Sequence, residues 1–179
     1  MITLNEQNRK TKISLQYDIG EIFVTLHSKK KNNLFDMFKK KEFGLNLGAY
    51  VQFLNDEQVF VQALDNKFGN FNKIPYVFLK NDTKDSSYNE CLYINSKHIN
   101  EIKKIIIYIY KNIPKWNEIM STVTIQIPGQ DIVEIPCIQN EYTLSYYAIA
   151  CINKEDDMIC IERLNRYFIQ QNDIIHEFK

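Results

Sequence analysis

The stretch TVTIQIPGQDIVEIPCI, residues 122–138, reads as two strands with a turn between them. Val123, Ile125 and Ile127 fall on one face, and Thr122, Thr124 and Gln126 on the other. That period of two is the mark of a strand with one face on a core and one in solvent. Pro128-Gly129-Gln130-Asp131 is a strong turn, because proline and glycine interrupt any regular ladder. A second apolar run, Ile132 to Ile138, follows it.

Outward from this hairpin the same pattern recurs. Ile13, Leu15 and Tyr17 alternate, as do Ile22, Val24 and Leu26. Val51 and Phe53, Val59 to Leu64, Tyr76 to Leu79 and Leu92 to Ile94 follow, and Leu144 to Ile152 and Met158 to Leu164 close the series. About ten short strands separated by polar breaks predict an all-β fold, an antiparallel β-sandwich with one or two short helical turns. Asn55-Asp56-Glu57 reads as a hairpin connection, and Asn153 to Asp157 separates the last two long strands, which makes them antiparallel neighbours. Ser96 to Lys104 is the place for one helical turn, and residues 166–179 form a loose tail with weak helical character. No internal repeat or boundary divides the chain, so residues 1–179 are expected to form one domain.

Composition agrees. The 179 residues include 63 of the strand-favouring types Ile, Val, Thr, Phe, Tyr and Trp, and only four alanines. Lys+Arg and Asp+Glu both total 22, so the formal net charge is zero, which argues against a nucleic-acid partner. No apolar run approaches the roughly 20 residues of a membrane-spanning helix; the longest is Ile105 to Tyr110. MITLNEQNRKTK lacks the apolar stretch of a secretory signal, so a cytoplasmic location is expected.

Little points to catalysis. Cys91, Cys137, Cys151 and Cys160 form no C-x-x-C pair and read as reduced thiols of the interior. His27, His98 and His176 stand at metal spacing with no other histidine or cysteine, and there is no nucleophile elbow or phosphate loop. Asp156 and Asp157 are adjacent and belong to a solvated turn rather than to an acid–base pair. The chain is therefore expected not to be an enzyme.

Two polar segments carry the candidate sites. SKKKNNLFDMFKKKE, residues 28–42, holds six lysines and one aspartate between Lys29 and Lys41. Its apolar residues include Phe35 and Phe38. A solvated loop or a short packed helix accounts for such a segment. Lys29, Lys30, Lys31, Phe35, Phe38, Lys39, Lys40 and Lys41 also suit docking on an acidic partner, or salt-sensitive peripheral contact at the inner face of a membrane. The second segment, residues 80–90, offers Asp82, Asp85 and Glu90 as carboxylates, with Asn81 and Asn89 as neutral oxygens. A solvated polar turn accounts for it. Calcium takes about six to eight oxygens from a flexible loop, but the glycines that help a backbone curl are missing, and the EF-hand spacing is absent.

Beyond these local readings, the order of several short motifs resembles the TerD-like tellurium-resistance and stress-response family. Leu45-Asn46-Leu47-Gly48-Ala49 is similar to that family's strand reading L-D-L-D-A. The 80–90 loop is similar to its acidic loop ending in Glu, and Glu90-x-Leu92-x-Ile94-x-Ser96 to the strand that follows. Ile102-x-Lys104-Ile105-x-Ile107 resembles its V-x-K-I strand, and Trp116-Asn117-Glu118-Ile119 its F-G-x-V segment. The resemblance runs over about residues 10 to 165. It implies a non-enzymatic, calcium-binding β-sandwich that works with other stress-response or resistance proteins, and it leaves oligomeric state open. In that family such proteins are encoded among genes for resistance to tellurite, phage and pore-forming colicins, and are linked to membrane-associated stress complexes. On the matching positions, metal contacts would come from Asp82, Asp85, Asn89 and Glu90. The chain departs from the pattern: Asn46 and Gly48 stand where the family has strand aspartates, and the loop has lost its glycines. Asp157-Met158-Ile159-Cys160-Ile161 only distantly matches a C-terminal G-x-W-K-F signature. Each missing carboxylate lowers calcium affinity, so weak or lost calcium binding is expected, with a calcium-independent interaction module as the alternative.

Charge is also unevenly spread. Residues 1–44 carry nine Lys/Arg and five Asp/Glu, while residues 45–179 carry 13 and 17. The zero total thus averages a basic N-terminal part and an acidic remainder.

Overall fold

The computed structural model describes residues 1–14, 20–30, 45–80, 89–111, 119–137 and 144–179. Among these residues the strands are β1 (Ile2–Thr3), β2 (Lys10–Ser14), β3 (Glu21–Lys30), β4 (Leu45–Phe53), β5 (Gln58–Gln62), β6 (Gly69–Asn70) and β7 (Val77–Lys80). They continue as β8 (Asn89–Asn95), β9 (Ile102–Lys111), β10 (Ile119–Gln126), β11 (Val133–Cys137), β12 (Tyr146–Glu155) and β13 (Met158–Phe168), and helix α1 (Gln171–Phe178) follows. One sheet has seven strands in the order β1-β11-β10-β3-β8-β7-β6. The other has six, in the order β2-β13-β12-β9-β4-β5. All pairings between these strands are antiparallel except that of β1 with β11, which is parallel.

The two sheets close over a shared apolar interior, as expected of a sandwich. Val24 and Leu26 of β3, Val123 and Ile125 of β10, and Val133 and Ile135 of β11 fill it from one side. Ile105, Ile107 and Ile109 of β9 and Ile159 and Ile161 of β13 fill it from the other. The hairpin of residues 122–138 is present as β10 and β11, with Thr124 opposite Glu134 and Gly129 in the left-handed region of its turn (φ 73°). Only glycine enters that region without steric cost.

A second, smaller core lies on the opposite face of the six-stranded sheet. There Tyr50, Ile106, Tyr108, Tyr110 and Ala148 are covered by Ile174 of α1, with Ile175 and Phe178 beside it. The helix starts at a capping box in which the Gln170 N–H donates to the Asp173 carboxylate (3.1 Å). This is firmer than the loose tail expected over 166–179: Arg166 to Phe168 belong to β13, and residues 171–178 form a docked helix.

The covering helix also explains why β9 does not show strand alternation in the sequence. Ile105 to Tyr110 are all buried, so the strand reads as a continuous apolar run, as strands covered on both faces do. A single 3-10 segment, Ser96–Glu101, stands where one helical turn was expected; Asn95 caps it by accepting from the Lys97 N–H (3.2 Å). A second 3-10 turn, Leu64–Asn66, replaces the end of the run read as Val59 to Leu64. The break at Asn153–Asp157 is tighter than the sequence suggests. β12 continues to Glu155, which pairs with Met158, and exposed Asp156 and Asp157 form the two-residue turn.

Candidate functional site

β7 ends at Lys80 and β8 begins at Asn89, so the polar segment between them is the connection of one antiparallel pair. Asp82 and Asp85 lie outside the described residues. Asn89 is the first residue of β8, opposite His27. Glu90 follows it, on the same face of β8 as the core residues Leu92 and Ile94.

From that inward position Glu90 reaches the opposite sheet. Its Oε2 accepts a hydrogen bond from the Leu47 N–H of β4. The β4–β5 ladder stops at the Gly48–Gln62 pair, one residue short of Leu47, and the Glu90 carboxylate serves the backbone donor beyond it. Burial pushes the Glu90 carboxyl up to about 6, and the Leu47 N–H works in the other direction. Glu90 is thus a half-buried carboxylate already engaged by the backbone.

The sign of that shift gives a prediction. A carboxyl whose folded pKa lies above its ordinary value of 4.5 contributes fully below that value. Its contribution is lost as pH rises through about 6. In calcium-free buffer, Glu90→Gln keeps an acceptor for Leu47 and removes the ionisation. The variant is expected to match the wild type near pH 4.5 and to exceed it by about 1–2 kcal/mol at pH 7.5, after discounting for partial exposure. Urea denaturation at both pH values checks this, and a stability difference independent of pH would contradict it.

Asn46 and Gly48, the positions matched to strand aspartates, face away from Glu90's interior. They share the face of β4 that carries Tyr50, and pair directly with Tyr110 and Tyr108 of β9. Asn46 Nδ2 is buried without a hydrogen-bond partner among the described residues. At Gly48 a Cβ would stand 2.5 Å from the Tyr108 ring, which occupies the space a side chain would need. That ring is fixed at its far end: the Tyr108 hydroxyl donates to Gln62 Oε1 (2.7 Å), and Gln171 Nε2 of α1 donates to both (2.7 and 3.2 Å). Tyr110 Oη accepts from the Leu64 N–H at 3.2 Å. Burial, with a smaller push from the Glu90 charge, raises the Tyr110 phenol to about 12.

The described part of the loop-and-strand constellation therefore brings together Glu90 and the Leu47 N–H, while Asn46 and Gly48 look to the other side of the sheet. Among the described residues no group of three or more His, Cys, Asp or Glu side chains is arranged to hold a metal ion. His27 contacts Thr124 Oγ1 (2.9 Å), and His98 bonds Glu101 (2.6 Å) and stacks on Tyr76. His176 lies exposed on α1. The four cysteines are free.

In the basic segment, Lys29 and Lys30 are the last residues of β3, opposite Met120 and Ile119 of β10. Lys31, Phe35, Phe38, Lys39, Lys40 and Lys41 lie outside the described residues, as do Trp116, Asn117 and Glu118. Among the described residues no helix is long and apolar enough to cross a membrane.

Sequence reading missed the Gln62–Tyr108–Gln171 network, because its members are far apart in the chain. It also missed Arg163. The alternation of β13 could have found that residue, since it shares a face with Ile159 and Ile161.

These features define a two-sheet β-sandwich whose candidate site lies where β8 meets the edge of β4. The chain is similar to the tellurium resistance protein TerA of Alcaligenes sp., with 30% identity over 186 residues. That similarity takes in 99% of this chain and 55% of TerA, so the chain spans about half the length of the relative. No family model matches the chain. The resemblance read from short motifs is thus supported at the level of the broader tellurium-resistance proteins.

Proposed function

We propose that this chain is a non-enzymatic β-sandwich binding module of the tellurium-resistance and stress-response proteins, in which calcium binding through the 81–90 loop is weak. The weakened affinity is supported by the placement of Asn46 and Gly48 on the face of β4 away from Glu90, where the Tyr108 ring leaves no room for a carboxylate at Gly48. With Asn at 46 and Glu90 bonded to the backbone, Asp82, Asp85, Asn89 and Glu90 remain as ligands. Calcium bound by few carboxylates has a dissociation constant in the range of about 0.1–1 mM.

Calorimetry and thermal melts with calcium or chelator test this. Binding near 1 mM raises the melting temperature by on the order of 3 °C at 10 mM calcium, by mass action. No heat and no shift at 10 mM calcium would remove calcium from the reading. Micromolar affinity would equally contradict it.

The second reading is a calcium-independent module that docks on other resistance proteins, or on an anionic membrane surface, through Lys29–Lys41. Engagement of Glu90 by Leu47 favours it. Recovery of partners by the intact chain, but not by one lacking residues 29–41, supports this reading. Equal recovery by both counts against the segment. Sedimentation with anionic vesicles at low salt alone would point to the membrane.

A further inference from the structure

Arg163 is 2% exposed, and its Nε, Nη1 and Nη2 atoms have no hydrogen-bond partner among the described residues. It sits on β13 one residue past the β2 pairing, opposite Ala150 of β12, and on the same face as Ile159 and Ile161 of the shared core. Arginine stays charged under all folding conditions, and a buried charge without a counter-charge costs several kcal/mol.

Across the sandwich lies a row of small polar groups. Ser28 of β3, Ser121 of β10 and Cys137 of β11 are in register on three adjacent strands. Each continues the inward face marked by Leu26, Val123 and Ile135. The Ser28 hydroxyl is itself buried without a partner among the described residues. The Cys137 thiol interacts with Ser121 and with the charge of Arg163. Burial nevertheless pushes that thiol up to about 12, so it remains neutral and does not balance the guanidinium. A water molecule would satisfy hydrogen bonds but supply no counter-charge, and none stands beside the guanidinium among the described residues.

We propose that Arg163 and Ser28 form an internal receptor for a small inorganic oxyanion of the phosphate or sulfate class. The guanidinium supplies the counter-charge and a planar pair of donors that matches two oxygens, and the Ser28 hydroxyl donates to a third. Ser28 and Cys137 are only partly buried as residues, so the row lies where the interior meets one end of the sandwich. In the chain Ser28 is followed by Lys29 and Lys30, the last residues of β3. The inference does not rest on the calcium reading, because its probes are anions in chelator-treated buffer.

The test is a thermal and calorimetric titration of the full chain with phosphate and with sulfate, in chloride buffer of constant ionic strength. A saturable rise in melting temperature is expected, on the order of 5 °C at a hundred times the dissociation constant. Arg163→Met should abolish the rise and melt no lower than the wild type in anion-free buffer, since it removes a buried charge without a partner among the described residues. Should that variant not fold, Ser28→Ala, which leaves the charge in place, is expected to weaken binding about tenfold. Absence of a saturable response in the wild type overturns the proposal. So does an equal response in Arg163→Met, which would mark the lysine-rich surface as the binding element, or an unchanged affinity in Ser28→Ala.

Discussion

Gly48→Asp, the substitution that places a carboxylate where the TerD-like pattern has one, is expected to unfold most of the protein at 25 °C. A Cβ at this position would stand 2.5 Å from Tyr108 Cζ and 2.7 Å from its hydroxyl oxygen. The ring cannot swing aside cheaply, because it is fully buried and its hydroxyl is held by Gln62 and Gln171. Gly48→Ala alone should cost about 2–3 kcal/mol, through overpacking and the lost hydrogen bonds. Aspartate adds a buried carboxylate and brings the total to about 5 kcal/mol, comparable with the whole stability of many domains. Circular-dichroism melts measure both. The cause is isolated in a Tyr108→Ala background, where Gly48→Ala should cost close to nothing. An equal cost in both backgrounds would mean that the ring is not the obstacle. A single exchange of Gly48 for the aspartate of the TerD-like pattern therefore cannot be made without displacing the Tyr108 ring.

The second large effect is expected at Ile174. This residue is fully buried on α1 against the aromatic face of the six-stranded sheet. Ile174→Ala removes its branched side chain from a packed site and should cost about 2–4 kcal/mol. For a chain of this size that corresponds to a fall in melting temperature of about 5–15 °C. Ending the chain after Phe168 goes further. It uncovers Tyr50, Ile106 and Tyr108, all 0% exposed in the intact fold, and withdraws Gln171 from the Tyr108 hydroxyl. Such a contiguous apolar patch is expected to drive aggregation, which light scattering would detect. A shortened chain that stayed monomeric and melted within about 2 °C of the intact one would show that α1 is an appendage rather than part of the fold.

The sequence marks Gly48 only as a missing aspartate and Ile174 not at all, and the reason is physical. Alternation is visible in a sequence when one face of a strand meets solvent, as along β3 and β10, where Val24 and Val123 point inward and Thr25 and Thr124 do not. Those strands, the β10–β11 turn and the β12–β13 hairpin were legible from the chain alone. β9 was not legible as an alternating strand, because α1 buries its second face and erases the polar half of the pattern. The helix itself is short and carries Asn172 and Asp173, so its stability comes from docking on that face rather than from propensity.

The candidate site divides in the same way. The residue types of the 80–90 loop, the loss of aspartate at Asn46 and Gly48, and the lysine-rich run after β3 are properties of the sequence. They sufficed to suggest a divergent tellurium-resistance β-sandwich. That the Gly48 position is filled by a ring 60 residues away, and that Glu90 crosses to the backbone of Leu47, were decided only by the tertiary structure. So was the burial of the Arg163 guanidinium without a hydrogen-bond partner among the described residues. Local sequence fixes which face of a strand a side chain leaves from. What that side chain meets is set by the sheet packed against it, and those contacts join residues that no spacing rule connects.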